Sequence, residues 1–302
     1  MRRGITLTEI LVSIVISLII LAALVNTLIG TGKGARDILK AVDVKDYAKE
    51  GLAKLDWIFQ RWGVGVPCID PTGDNNCAVV RSCGGPDNYP PPSSLCVNVV
   101  RGNPCDTVQF YGSFGGMGFV TRIYGVNKVA VLSCRLEERA NDNCYYIKRG
   151  GLWVKDGDKP LIVSISNLDP PRVLDCIDFN GRSNATMNRT VNIQGGGTLE
   201  LENGDLLIRV PFRITLYCDR FRADNNKLWL YMKLEDRKEC RNNSNCRNGW
   251  CLREHPQPLF PVESFKVVND PYEDGFLRLR ITFRGNEGNT LTIERIFGRL
   301  AR

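Results

Sequence analysis

The sequence predicts an α+β chain: a long N-terminal α-helix, membrane-spanning and then amphipathic, packed on an antiparallel β-sheet head with disulfide-rich loops. Three observations predict it. Ile5 to Ile29 is an apolar run with one charge, Glu9. The next thirty residues keep a helical period. From Thr107 onward, short apolar segments alternate with turn residues.

The apolar run is 25 residues long, enough for a helix to cross a hydrocarbon core of roughly 30 Å. Ser13, Ser17, Asn26 and Thr27 are its polar interruptions. Arg2 and Arg3 precede it and are expected to stay in the cytoplasm, so the rest of the chain is exported. A cleaved secretory signal has a shorter core and a small-residue cleavage site, and no clean A-x-A follows here. A plain anchor leaves Glu9 unexplained, because an ionisable group inside an apolar span is costly without a partner.

Beyond the run lies Gly30-Thr31-Gly32-Lys33-Gly34. Each glycine costs roughly 0.8–1 kcal/mol against alanine in a helix. The stretch reads either as a break at the membrane surface or as a segment that bends or melts, with Gly30, Gly32 and Gly34 supplying the flexibility. The helix then continues to about Trp62. Ala35, Ile38, Leu39, Val42, Tyr47, Leu52, Leu55, Ile58, Phe59 and Trp62 form the expected apolar face. Lys40, Asp43, Lys45, Asp46, Lys49, Glu50, Lys54 and Asp56 form the polar one. Such a helix needs a head to cover its apolar face.

Residues 63–106 carry seven prolines and five cysteines and read as a disulfide-stapled loop region. Residues 107–302 read as the β-rich head. Strands are expected at 108–111, 128–134, 145–148, 151–154, 161–166, 173–177, 206–218, 228–234, 264–269, 276–283 and 290–295. Leu277, Leu279, Ile281 and Phe283 face one way while Arg278, Arg280 and Thr282 face the other. Gly150-Gly151, Asp156-Gly157-Asp158 and Asn225-Asn226 are the expected hairpin turns.

Twelve cysteines follow the apolar helix: Cys68, Cys77, Cys83, Cys96, Cys105, Cys134, Cys144, Cys176, Cys218, Cys240, Cys246 and Cys251. An even number in an exported chain reads as a disulfide framework whose pairing stays open. There is no C-x-x-C, and His255 is the only histidine, so metal and haem sites are not expected. No cofactor is implied.

Net charge is +7, or +5 once Arg2 and Arg3 are gone, which fits a solvated surface and argues for no particular partner. The glycine-rich segment 112–118 lacks the Lys-Ser/Thr of a phosphate loop and reads as a loop or bulge. Asp156, Asp158, Asp169, Asp175 and Asp178 lack calcium-loop spacing. His255, within His-Pro-Gln-Pro, is badly placed to be a catalytic base, and no enzyme is expected. Asn184-Ala-Thr186, Asn188-Arg-Thr190 and Asn242-Asn-Ser244 match the glycosylation triplet, the first two in an expected polar loop. Phe110, Tyr111, Phe114 and Phe119 with Arg101 and Arg122 make single-stranded DNA a minor candidate partner.

The pattern Gly4, then Ile5-Thr6-Leu7-Thr8-Glu9, then apolar residues resembles the type IV prepilin family. The resemblance departs at Ile5, where the family usually has Phe, and at Thr8, where it usually has an apolar residue. It implies a four-residue leader (1–4) cut by a prepilin peptidase after Gly4, methylation of the new N-terminus at Ile5, and charge pairing by Glu9 during assembly. The physics agrees with that role: the exposed amine of one subunit can neutralise the carboxylate of its neighbour in a low-dielectric bundle.

Downstream, Tyr145-Tyr146-Ile147, Leu228-Trp229-Leu230-Tyr231 and Pro261-Val262-Glu263-Ser264-Phe265-Lys266-Val267 resemble more loosely the heads of PilW-type minor pilins and J-type pseudopilins. These resemblances imply a non-catalytic minor pilin near the tip of a type IV pilus, which takes part in filament assembly and priming. It would start in the inner membrane with its head outside the cytoplasm and end at the cell surface, its partners other pilins. A type II secretion pseudopilin, a major pilin, and a membrane-anchored adhesin or DNA-binding module are the alternatives.

Overall fold

A computed structural model describes residues 7–68, 77, 79–85, 89–114, 116–134, 144–165, 184–240, 246–247, 249–253 and 255–298. Helix α1 (Leu7–Phe59) opens the chain. It is followed by β1 (Val97–Val100), β2 (Thr107–Gly112), β3 (Met117–Tyr124), β4 (Lys128–Cys134) and β5 (Cys144–Arg149). Then come β6 (Leu152–Trp153), β7 (Lys155–Asp156), β8 (Lys159–Pro160), β9 (Ile162–Ser164), β10 (Asn184–Asn188), β11 (Thr190–Ile193), β12 (Thr198–Glu200) and β13 (Leu206–Arg209). The chain ends through β14 (Phe212–Phe221), β15 (Lys227–Arg237), β16 (Cys246–Arg247), β17 (Trp250–Leu252), β18 (Gln257–Val267), α2 (Pro271–Asp274), β19 (Leu277–Arg284) and β20 (Thr290–Phe297).

The fold is α+β, as the sequence predicts. Helix α1 is continuous for 53 residues. No break occurs at Gly30, Gly32 or Gly34, which sit in open space inside the helix. The Thr27 and Thr31 hydroxyls donate to the carbonyls of Ala23 and Thr27, so even the polar residues here bond within the helix. The helix packs on β18, β19 and β20 through its second half only. The buried positions are Val44, Ala48, Gly51, Leu55, Ile58 and Phe59, at the helical period, and Trp62 follows the helix.

That face corrects the one expected from sequence. Ile38 (66% exposed), Leu39 (67%) and Val42 (48%) stay exposed although Lys40 and Asp43, interleaved with them, meet the head, so the covered side of the helix is turned from the expected one. Lys40 and Asp43, expected on the solvent side, touch the β19–β20 turn instead. Asp43 accepts from the Asn286 amide at 2.7 Å and from its side-chain nitrogen at 3.1 Å. Lys40 pairs with Glu287 at 2.9 Å.

The first sheet has the order β1-β2-β14-β15-β18-β19-β20, antiparallel throughout, with β17 also paired to β15 and β16 to β17. Its inner face meets α1 in a core that includes Phe110, Ile214, Leu230, Phe260, Phe265 and Phe283. Leu277, Leu279, Ile281 and Phe283 are fully buried there, matching the expected alternation. Asn225 and Asn226 adopt positive φ between β14 and β15, which suits their short polar side chains.

Between β2 and β14 the chain leaves this sheet and builds a second, ordered β10-β4-β3-β13-β5-β9-β11-β12 with β6 on β5. This inserted sheet has its own core of Val120, Val129, Val131, Tyr145, Ile147, Val163 and Leu207. The single strand expected over 206–218 is therefore two. β13 pairs with β3 and β5, Val210-Pro211 turns the corner, and β14 joins the first sheet. The glycosylation triplets at 184–190, expected in a loop, lie on β10 and the start of β11. β10 is the edge strand of its sheet, and an edge strand can carry polar residues outward. Gly118, expected in a loop or bulge, lies in β3. β7 and β8 form the hairpin expected around Gly157. The strand expected at 173–177 lies outside the described residues.

Candidate assembly surface

Every described side chain from residue 11 to 29 is exposed, so the N-terminal third of α1 stands free of the head. Its most apolar 18-residue window has mean hydropathy 2.4 and no buried residue. Thirteen large apolar side chains lie exposed in this stretch, each worth about 1.5–3 kcal/mol on full burial. Since each is about half exposed, on the order of 10–20 kcal/mol opposes leaving this helix in water. One helix long and apolar enough to cross a membrane is thus present near the N-terminus. A lipid bilayer or a bundle of like helices satisfies the same apolar demand.

Of the residues the sequence singles out, Gly4 and Ile5 lie outside the described residues. Glu9 lies in the first turns of α1 by its backbone, and its side chain is outside what is described. Gly30, Gly32 and Gly34 lie in the free segment below the Lys40–Asp43 contact, so the head does not hold them.

The head is fastened to the helix by contacts that sequence reasoning missed. Gly51 lets α1 approach the sheet: a Cβ there would lie 2.6 Å from Phe283 Cε1 and 3.0 Å from Phe260 Cδ1. Gly112 faces the chain just after α1, where a Cβ would lie 2.2 Å from the Arg61 carbonyl oxygen. There Trp62 and Gly112 form a β-bridge, and the Gly63 amide donates to Tyr111 O at 2.9 Å. A glycine inside a helical period and another ending a strand are weak signals alone. Only the fold shows what each approaches.

Five disulfides join described cysteines: Cys68–Cys77, Cys83–Cys96, Cys105–Cys218, Cys144–Cys240 and Cys246–Cys251. Two close loops within 63–106, as expected. Cys105–Cys218 ties that region to β14, and Cys144–Cys240 ties the inserted sheet to the first one. Around the latter, Tyr89, Tyr111, Tyr146 and Trp250 form a buried aromatic cluster between the sheets. Cys134 ends β4, and Cys176 lies outside the described residues.

Buried charges in the head are paired. Asp106 accepts from the Val267 amide at 2.9 Å and from the Gly102 amide and Arg101 Nη1, each at 3.1 Å. Burial pushes its carboxyl up, but these bonds and Lys266 outweigh burial and hold it below the usual carboxylate range. Glu235 is likewise raised by burial and lowered further by Arg213 and Lys233, each at 2.8 Å, with a net downward shift. Arg213 also lies 5.0 Å from the Trp250 ring, a cation–π contact in the inter-sheet cluster.

The other constellations do not assemble. Phe110 and Tyr111 are core residues, and Phe114 stacks on Trp57 at 4.9 Å. Arg101 is held by Asp106, whereas Phe119 and Arg122 are exposed on β3, so the aromatic and basic residues considered for DNA are divided between core and surface. His255 is exposed. Asp156 and Asp158 sit on the β7–β8 hairpin, while Asp169, Asp175, Asp178 and the Asn242 triplet lie outside the described residues. Among the described residues, no group of three His, Cys, Asp or Glu is placed to hold a metal ion.

Comparison with known proteins finds no matching family model and no matching solved structure. The chain is similar to an uncharacterized protein of Aquifex aeolicus (strain VF5), 29% identical over 309 residues, covering 99% of this chain and 100% of that protein.

Proposed function

We propose that this chain is a non-catalytic, type IV pilin-like subunit, most consistent with a minor pilin that joins a filament at or near its tip. The observation that carries the reading is the division of α1. One half is sealed against an antiparallel head, and the other projects 30 or more residues with every described side chain from 11 to 29 exposed. An anchor alone needs only a span. The acid at position 9 and the pattern around Gly4 add a feature that an anchor does not need.

In this reading the peptidase cuts after Gly4, Ile5 is methylated, and the subunit waits in the inner membrane with its head outside the cytoplasm. Glu9 then accepts the cationic terminus of a neighbour as the helix moves into the bundle, fixing axial register as buried polar groups do in coiled coils. The glycine segment lies clear of the head and can bend or melt during extraction without disturbing the Asp43–Asn286 contact. The inserted sheet makes the head large and irregular, which favours a rare position over a repeated one. A secretion pseudopilin shares all of these features and remains the alternative within the class.

The test is Glu9→Ala in the native host. The variant is expected in the membrane fraction at normal level and absent from sheared or co-purified filament components. Incorporation at the wild-type level would defeat the proposal.

A further inference from the structure

The outer face of the first sheet, turned away from α1, carries a groove at its β1 end. Val108, Phe110, Ile214 and Leu216 fill the inner face, so Thr107, Gln109, Thr215 and Tyr217 point outward. The strands align them: Val100 opposite Thr107, Gln109 opposite Thr215, and Tyr217 opposite Tyr231. The groove is about 450 Å³, within the range of small-molecule sites. Its described walls are hydroxyl, amide and apolar groups, and none of the nine described residues that line it is charged, in a chain with 73 charged residues among 302.

Beside it, two residues along β14 and on the same face, Tyr217 stacks with Tyr231 at 5.8 Å between ring centres. The neighbouring cation, Lys233, is held by Glu235 at 2.8 Å. The Asn98 side chain is already committed, since it binds the Cys83 amide and Gly84 O and so fixes the groove's outer wall. Gln109 donates only a long bond to Thr215, 3.4 Å, which leaves its carbonyl oxygen and second N–H for a ligand.

We propose that this groove binds a neutral oligosaccharide, with Thr107, Gln109 and Thr215 bonding sugar hydroxyls and the Tyr217–Tyr231 pair stacking on a ring. An uncharged wall disfavours nucleic acid and acidic polymers, which need unpaired cations. Planar amides and hydroxyls beside an aromatic platform match a ligand dense in hydroxyls and with apolar ring faces. The site does not depend on filament assembly, and its failure would leave the pilin reading standing.

The experiment uses the full chain in a sugar-free detergent and saturation-transfer NMR. The probes are β-1,4-glucan, α-1,4-glucan and β-1,4-N-acetylglucosamine hexasaccharides, with oligogalacturonate and a neutral extended peptide as contrasts. At least one neutral hexasaccharide is expected to bind at millimolar concentration or below. Gln109→Ala and the nearly isosteric Thr107→Val should each weaken it by about tenfold. Tyr217→Ala should weaken it further, with unchanged unfolding of the Thr107→Val protein as the check that the fold survives. The proposal is overturned if no neutral probe binds at millimolar concentration, if the acidic probe or the peptide binds more tightly, or if both Gln109→Ala and Thr107→Val bind like wild type.

Discussion

Gly51→Ala and Gly32→Ala make the same chemical change on one helix, yet they are expected to shift stability in opposite directions. In a helix interior, alanine is favoured over glycine by roughly 0.8–1 kcal/mol. Gly32 has nothing within 4 Å of the added Cβ, so that gain appears in full as helix stability in the free segment. At Gly51 the Cβ would lie 2.6 Å from Phe283 Cε1 and 3.0 Å from Phe260 Cδ1 and Cγ. Phe283 is fully buried, Phe260 is 2% exposed, and the two rings pack at 5.2 Å, so neither can swing away without disturbing the core. Overpacking costs typically about 1–3 kcal/mol. The difference leaves Gly51→Ala less stable by up to about 2 kcal/mol. Urea unfolding of the detergent-solubilised chain reads this through Trp57 and Trp62, close to the helix–sheet contact. A Gly51→Ala protein as stable as wild type, or more so, would refute the claim that close approach sets this position.

Three other outcomes follow from the same packing. Gly112→Ala places a Cβ against the Arg61 backbone, which cannot rotate aside, so its loss in urea midpoint should exceed that of Gly51→Ala. Asp106 has its carboxyl lowered on folding, so its contribution is present above the unfolded carboxylate range and is lost as pH falls through the lower folded value. Asp106→Asn should thus be less stable than wild type at pH 7, with the gap closing as both are acidified below about pH 4 in urea melts. Replacing both Cys144 and Cys240 by Ser opens a link across 96 residues and should cost about 2–5 kcal/mol. Limited proteolysis should then cut the inserted sheet before the first sheet.

The sequence carries the helix plainly, because the apolar run and the helical period are local signals. Hairpins at Gly150-Gly151 and Asn225-Asn226 were legible for the same reason: positive φ selects those residues. The division into two sheets was not legible. β13 and β14 are separated by Val210-Pro211 within one apolar stretch, and nothing local says that pairing partners change there. The buried helix face shifted from the expected one because Ile38, Leu39 and Val42 are as apolar as Val44 and Leu55. Which of them is covered depends on the side of the helix the head takes, and that side carries Lys40 and Asp43 rather than Ile38, Leu39 and Val42. Asp43 read as a solvent-facing charge, since its partner Asn286 lies 243 residues away. The expectations at Gly4 and Glu9 rest on sequence alone, whereas Gly51 and Gly112 gained meaning only from their neighbours in space.

The mass of the mature N-terminal peptide, isolated from the protein's native membrane, tests the central claim most directly. A chain starting at methylated Ile5 is the predicted result. A chain that retains Met1 or Gly4, or that begins beyond about residue 30 as a secreted product would, contradicts the account.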